Sequence, residues 1–137
     1  MSVGENIRRY RKLRAMTQAQ LAEAVGLTEG AVRHYESGIR AVKPELLESI
    51  SAALGVSVNA LKDYGVETAG DLASLLVRLE DSFGIVPAAD GSGLSLNPKA
   101  PRAPKAAMAI ELWAEKRAQL ENGEIDAAEY EDWKASL

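Results

Sequence analysis

Length, composition and charge exclude several classes of protein before any motif is considered. The chain has 137 residues, of which 47% are hydrophobic, and this favours a folded protein over a disordered one. It has no cysteine, one histidine, and no apolar run near the ~18 residues of a membrane span, so a disulfide framework, a zinc cluster and a membrane helix are not expected.

The first predicted element is a basic amphipathic helix over residues 5–14. Its inner side is predicted to carry Ile7, either Tyr10 or Arg11, and Leu13. Four cations are predicted to face outward, namely Arg8, Arg9, Lys12 and Arg14. Such a run is usually a solvated face, but beside a nucleic-acid-binding helix it would add long-range attraction to phosphate.

Residues 17–38 predict two short helices joined by a tight glycine turn. Thr17 is a hydroxyl N-cap for the first helix, 17–25, and Thr28 is one for the second, 28–36. Gly26 follows the first helix, where a chain that leaves a helix often needs a positive φ. The predicted inner residues are Leu21, Ala22, Val25, Leu27, Ala31, Val32 and Tyr35. This arrangement is the outline of a helix-turn-helix.

Two further helices are predicted after the exit loop at residues 37–45. Pro44 stands at the first turn of the fourth helix, where its missing N–H costs nothing, and Gly55 ends that helix. The buried residues are predicted to be Leu46 or Leu47, Ile50 and Leu54. Ser57 then caps a short fifth helix that contains Leu61.

The spacing within this region resembles that of the Cro/C1-type (XRE, phage-repressor-like) helix-turn-helix family. Counted from Gln18, the fourth residue is apolar, the fifth is alanine and the ninth is glycine, and apolar residues also stand eighth, tenth, fifteenth and eighteenth. The stretches IRRYRKLRAMTQAQLA and YESGIRAVKPELLESISAALGVSVNAL extend the resemblance to about residues 4–64. It implies a five-helix, lambda-repressor-like DNA-binding domain whose third helix is the recognition helix.

The resemblance also implies roles for single residues. Arg11 and Glu36 would form an ion pair that ties helix 1 to helix 3, and Gln18 would contact the DNA backbone. Arg33 suits guanine, and His34 is either a donor or a solvent-exposed bystander. Glu29 can only accept, and Gly30 has no side chain, whereas the family often has Gln or Ser at these two places. The predicted DNA-binding residues are Thr17, Gln18, Thr28, Glu29, Gly30, Arg33, His34, Ser37, Arg40 and Lys43.

Residues 65–137 predict a different, mainly helical region. Thr68 caps a sixth helix, about 69–83, and a small β-hairpin follows over residues 84–97. Residues 98–104 read as an extended connector, and two helices, 105–121 and 126–136, are predicted to form a C-terminal helical hairpin. Its inner residues are predicted to include Trp113 and Trp133. The predicted fold is therefore mainly α, with domains 1–64 and 65–137.

The sign of the net charge also differs between residues 1–64 and residues 65–137. Residues 1–64 carry nine Lys/Arg and seven Asp/Glu, a net +2, whereas residues 65–137 carry seven and thirteen, a net −6. This asymmetry fits one domain facing phosphate, although an acidic surface that only keeps the second region soluble explains the excess equally well.

These patterns favour a DNA-binding transcriptional regulator that acts as a homodimer on double-stranded DNA. The alternative is an antitoxin-like or accessory protein-interaction module, in which the acidic C-terminal half binds a protein partner and DNA binding is secondary. No enzyme activity, cofactor or metal is expected, because one histidine and no cysteine leave no catalytic constellation. The N-terminus lacks a signal-peptide core, so a cytoplasmic location without membrane contact is predicted.

Overall fold

The computed structural model describes all 137 residues and is mainly α, as predicted. Its elements, in chain order, are α1 (Val3–Leu13), α2 (Gln18–Val25), α3 (Glu29–Glu36), α4 (Pro44–Leu54), α5 (Val58–Leu61), α6 (Ala69–Phe83), β1 (Ile85–Pro87), β2 (Leu94–Leu96), α7 (Ala103–Glu121) and α8 (Ala127–Ala135). None of the helices is both long enough and apolar enough to cross a membrane. The chain divides into a first unit, residues 1–64 with 131–137, and a second unit, residues 65–130.

Side-chain caps determine where most of these helices begin. The hydroxyls of Thr17, Thr28, Ser57 and Thr68 each accept a hydrogen bond from the backbone N–H three residues later, as the sequence predicts. A further capping box, formed by Ser2 and Glu5, starts α1 two residues earlier than predicted. Because of this earlier start, Gly4 lies inside α1.

The core of the first unit consists of aliphatic side chains from all five of its early helices. The largest fully buried side chains are Ile7, Leu21, Val32, Ile50, Leu54 and Leu61. Ala22 is buried between α2 and α3, which form the most extensively packed pair of helices. The prediction that Leu13 faces inward is wrong, since its side chain is 54% exposed. Both Tyr10 and Arg11 face the core instead, and α1 ends at Leu13.

A buried ion pair joins α1 to α3. Arg11 Nε donates to Glu36 Oε1 at 2.5 Å and Nη2 donates to Oε2 at 3.1 Å. The two side chains are only 9% and 4% exposed. Arg11 Nη1 also donates to the Met16 carbonyl, and Gln18 Nε2 donates to Glu36 Oε2 at 2.9 Å. The structure therefore contains the ion pair that the family resemblance implies, and every buried polar side-chain atom of the chain has a partner.

Residues 131–137 pack in the first unit, whereas the sequence assigns them to the second region. The methyl group of Ala135 is 1% exposed and belongs to the first unit's core. The Ser57 N–H donates to the Ala135 carbonyl at 2.8 Å, and Asn59 Nδ2 donates to the Leu137 carbonyl at 2.9 Å. The side chain of Leu137 itself is exposed.

The second unit is built around α6, the β-hairpin and α7. The predicted hairpin is present as an antiparallel pair of strands, in which Ile85 lies opposite Leu96. Gly84 ends α6 with φ of +72°, and a Cβ there would overlap the Asn97 carbonyl, so the turn needs glycine. The predicted leucine stripe of α6 is only partly covered, because Leu72 and Leu75 remain 48% and 40% exposed.

Two predictions for the second region are wrong. The connector is not extended, because residues 98–102 form turns and α7 begins at Ala103, with Pro104 in its first turn. Trp113 does not face inward, since it is 52% exposed and its Nε1 donates to the Tyr130 hydroxyl at 2.9 Å. The Asp126–Glu129 capping box does start α8, but it does not lead to a core formed by the two tryptophans.

Gly4 and Gly30 offer a matched test of helix packing. A Cβ at Gly4 would overlap the backbone carbonyls of Tyr35 and Glu36, so Gly4→Ala is expected to destabilise the chain by about 1–3 kcal/mol through overpacking. A Cβ at Gly30 meets nothing within 4 Å, so Gly30→Ala should stabilise it by up to ~1 kcal/mol through helix propensity. Urea unfolding measures both free energies, and equal effects of the two substitutions would contradict this packing.

The Arg11–Glu36 pair predicts a large loss of stability when one partner is removed. Arg11→Ala leaves Glu36 buried without its cation and should lower the free energy of unfolding by about 3–5 kcal/mol. Arg8→Ala removes the same charge from an exposed position and should change it by less than ~0.5 kcal/mol. Thermal and urea unfolding would show whether the two variants differ as expected, and a small effect of Arg11→Ala would mean that Glu36 is not effectively desolvated.

Candidate nucleic-acid interface

The turn between α2 and α3 is stabilised by a backbone hydrogen bond and by the packing of one apolar side chain. The Leu27 N–H donates to the Ala22 carbonyl at 2.8 Å, and Gly26 adopts the left-handed conformation with φ of +71°. Leu27 packs against the core of the first unit. Because α3 follows directly from this turn, its direction is determined by the packing of α2.

Helix α3 has one anchored face and one open face. Val32 and Glu36 are buried, and the flanking Ala31 and Tyr35 are half-buried. On the opposite side, the predicted base-reading residues Glu29, Arg33 and His34 are exposed. Gly30 is partly buried, but the space in which its Cβ would lie is open. The four predicted positions therefore lie together on the side of α3 that no other element covers.

Glu29 and Arg33 form an ion pair along α3. Arg33 Nη2 lies 3.6 Å from Glu29 Oε1, and both side chains are more than half exposed. An exposed i, i+4 pair of this kind contributes only about 0.3–0.5 kcal/mol to stability. It therefore favours one position of the Arg33 guanidinium but does not fix the side chain there. Sequence reasoning treated these two residues separately, although their spacing of four is the signal for the pair.

The loop after α3 presents two further cations. The guanidinium carbon of Arg40 lies 5.7 Å from the centre of the Tyr35 ring, and the Arg40 N–H donates to the His34 carbonyl. Lys43 precedes α4 without capping it through its side chain. Both residues are exposed and neither is in an ion pair, so both cations are free to meet an anion.

Ile39 lies in the same loop and was missed by the sequence reasoning. It is the most exposed large hydrophobic residue of the chain. Its sequence signal is an apolar residue in a polar loop, outside any helical stripe. Next to the open face of α3, it offers an apolar surface beside the cations.

The remaining predicted polar residues have partners within the chain. Thr17 and Thr28 accept bonds from N–H groups of their own helices, but each hydroxyl proton remains available to donate. The Ser37 hydroxyl donates to the His34 carbonyl at 3.2 Å. Gln18 donates one amide hydrogen to Glu36, which leaves the second for another acceptor. Gln18 thus has a structural role that the sequence prediction did not include.

The basic face of α1 is less available than predicted. Arg9 Nη2 lies 3.3 Å from Glu131 Oε2, and Arg14 Nη1 lies 2.5 Å from Asp132 Oδ1. Arg14 Nε also donates to the Leu54 carbonyl. Two of the four cations that were predicted to face outward are therefore paired. On α1 and in the loop after α3, the cations without an ion pair are Arg8, Lys12, Arg40 and Lys43, while Arg33 on α3 is only weakly paired.

This arrangement suits the recognition of a polyanion whose groove exposes hydrogen-bonding groups. The open face of α3 carries a guanidinium, an imidazole and a carboxylate, which are groups that can contact base edges in a major groove. The cations of the following loop suit phosphates, which position a protein without specifying sequence.

Part of the chain is similar to known proteins. Residues 7–61 match the HTH_3 helix-turn-helix family model. The chain is 31% identical over 101 residues to antitoxin PezA of Streptococcus pneumoniae serotype 4 (strain ATCC BAA-334 / TIGR4), with 61% of this chain and 64% of PezA covered. It is 37% identical over 68 residues to the immunity repressor protein of Bacillus phage phi105, with 50% of this chain and 46% of that repressor covered.

Among solved structures, the chain is similar to the P22 c2 repressor protein in complex with synthetic operator 9T. That match has 32% identity and a TM-score of 0.44, and it covers 46% of this chain and 96% of the repressor chain. The chain spans about half to two thirds of the length of the two curated relatives described above. Residues 7–61, which carry the helix-turn-helix described above, therefore form a domain of the Cro/C1-type helix-turn-helix family.

Proposed function

We propose that this protein is a DNA-binding transcriptional regulator that acts on double-stranded DNA. One observation carries the proposal: the outer face of α3 is open, and it is flanked by exposed cations that no carboxylate neutralises. In a helix-turn-helix protein, the N-terminal residues of such a helix reach base edges in the major groove. The activity is binding rather than catalysis, and it is expected to take place in the cytoplasm.

The residues divide into two groups by the part of DNA that they suit. Arg33 makes the bidentate contact with guanine O6 and N7, and Glu29 accepts from a cytosine amino group when their mutual ion pair opens. His34 donates to a base or a phosphate. Phosphate contacts come from the residues that rim α3, namely Thr17, Gln18, Thr28, Ser37, Arg40 and Lys43. Gly30 leaves room for a bound water or for close approach of the backbone.

A homodimer is part of the proposal, because one module contacts too few bases for high specificity. Two copies would bind half-sites about 34–36 Å apart. The second unit is the proposed dimer contact, since Leu72 and Leu75 on α6 and Met108 and Leu112 on α7 are exposed. Leu72 and Leu75 lie three residues apart on one face of α6, and Met108 and Leu112 lie four apart on one face of α7. Exposed apolar faces of this kind are candidate interaction sites.

A second candidate function is supported by the charge of the same unit. Residues 65–130 carry six Lys/Arg and eleven Asp/Glu, so the unit that exposes these leucines has a net charge of −5. Such a surface suits a basic protein partner, as in an antitoxin-like or accessory module with secondary DNA binding. The similarity to antitoxin PezA is compatible with this alternative and does not favour it over the regulator.

Fluorescence anisotropy tests the regulator proposal directly. The labelled probe is the DNA immediately upstream of the protein's own coding region, with random DNA as competitor at two salt concentrations. Arg33→Ala should weaken specific binding by about 5- to 150-fold, equal to about 1–3 kcal/mol, and relax sequence preference. Lys43→Ala should weaken binding to all sequences alike and lower the slope of log K against log salt by about 1.

Arg78→Ala is the matched control, because Arg78 is an exposed cation on α6 in the second unit. It should leave both affinity and salt slope unchanged. If the intact chain binds no DNA even at low salt, the regulator proposal fails. The helix-turn-helix would then be a scaffold, and the acidic unit would be the place to search for partners.

The dimer has a separate test in solution. Leu75→Glu places a charge in the exposed apolar stripe of α6 and should shift the chain from dimer to monomer in light scattering. Ser74→Glu adds the same charge at the adjacent exposed position, on a different face of the helix, and should leave the dimer intact. A wild-type monomer at micromolar concentration, or an equal effect of both substitutions, would contradict dimerisation through this stripe.

A further inference from the structure

A short segment from the far end of the sequence completes the helix-turn-helix unit. Residues 131–137 contribute Ala135 to the same core as Ile7, Leu54 and Leu61. The Ser57 N–H, which as an N-cap donor has no acceptor within its own helix, is satisfied by the Ala135 carbonyl at 2.8 Å. Removal of the segment would expose that core and leave this N–H without its partner.

Little of this segment is deeply buried in the first unit. The only side chain that it buries fully is a methyl group, that of Ala135. Its two ion pairs with α1 and the residue after it, Arg9–Glu131 and Arg14–Asp132, are partly exposed, with side chains that are between 30% and 58% accessible, and Glu131 is also paired with Lys134 within the segment. Exposed ion pairs are weak and are screened by salt.

The position of this segment in the chain gives it a second consequence. Helix α8 spans Ala127–Ala135, and the division between the two units falls within it, at residues 130 and 131. The second unit is therefore connected to the first at both of its ends, through residues 64–65 and through α8. When residues 131–137 are released, only the first of these connections remains.

We propose that residues 131–137 act as a releasable latch that couples the second unit to the helix-turn-helix unit. Any ligand, partner or second copy that draws α8 away from the first unit would open the latch and weaken that unit's core. By linkage, stabilisation of the first unit keeps the latch closed and opposes such binding to the same degree. The latch does not depend on the proposed DNA binding.

Hydrogen exchange at the Ser57 amide reports the state of the latch in the intact chain, without DNA. When the salt concentration rises from ~0.1 M to ~1 M, the Debye length falls from about 10 Å to about 3 Å, and the ion pairs weaken. Exchange of the Ser57 amide should accelerate by about tenfold through local opening. The Leu27 amide, bonded to the Ala22 carbonyl inside the same unit, should not change.

Charge-reversal variants with a matched control sharpen this test. Glu131→Lys with Asp132→Lys should accelerate Ser57 exchange in ~0.1 M salt to the high-salt rate of the wild type. Glu111→Lys with Glu115→Lys makes the same charge change on exposed, unpaired residues of α7 and should have no effect. In a double-mutant cycle, Arg9→Glu and Glu131→Arg should each accelerate exchange, and the two together should restore protection.

Three results would overturn the latch. The first is Ser57 exchange that depends neither on salt nor on the charges at 131 and 132. The second is acceleration that is equal at Leu27, which would mean that the whole unit opens. The third is a cycle in which Arg9→Glu and Glu131→Arg act additively. The wild-type salt series keeps the test decisive even if a charge-reversed variant fails to fold, and failure to bind DNA affects none of these readouts.

Discussion

The orientation of the recognition helix depends on the buried pair between Arg11 and Glu36. Bringing two opposite charges out of water is costly, and the cost is offset only when every donor and acceptor is satisfied. Here the guanidinium meets both carboxylate oxygens and a backbone carbonyl, while Gln18 supplies a further donor to Glu36. Three helices thus share one polar network inside an otherwise aliphatic core. Since the network closes only at one mutual arrangement of α1, α2 and α3, it determines how α3 is presented.

Helix α3 is anchored in the core through one face, and the side chains of its other face are exposed. Inside, Val32 and Glu36 are buried, so the backbone of α3 cannot turn without opening the core. Outside, the one ion pair along the open face joins two exposed side chains, Glu29 and Arg33, and it exchanges readily for contacts with a ligand. A rigid backbone combined with adaptable side chains is the property that recognition of base edges requires, because the scaffold bears the entropic cost before binding.

Local sequence patterns predicted the first 61 residues well, because helix caps, glycine turns and apolar periodicity act over a few residues. Thr17, Gly26, Thr28 and Gly55 each determine a helix end by themselves. The errors lie where a partner far along the sequence decides the outcome. Ala135 is buried by residues more than seventy positions away, and no periodicity within α8 distinguishes it from the more prominent Trp133 and Leu137. The spacing of Trp113 with Ile110 and Leu120 along one side of its helix predicts that it faces inward, but its indole N–H bonds to the Tyr130 hydroxyl and about half of the residue is exposed.

The distribution of charge shows what this long-range packing changes for the interface. Residues 1–64 alone have a net charge of +2, and the addition of Glu131, Asp132 and Lys134 lowers that of the folded unit to +1. The reduction is not uniform, because the two carboxylates lie against Arg9 and Arg14 on α1 and leave Arg40 and Lys43 unpaired. The unit therefore keeps cations without ion pairs on two elements, Arg40 and Lys43 beside α3 and Arg8 and Lys12 on α1. Because the pairing neutralises part of the positive charge on α1 and none of that in the loop after α3, it shifts the attraction of a polyanion towards the open face of α3.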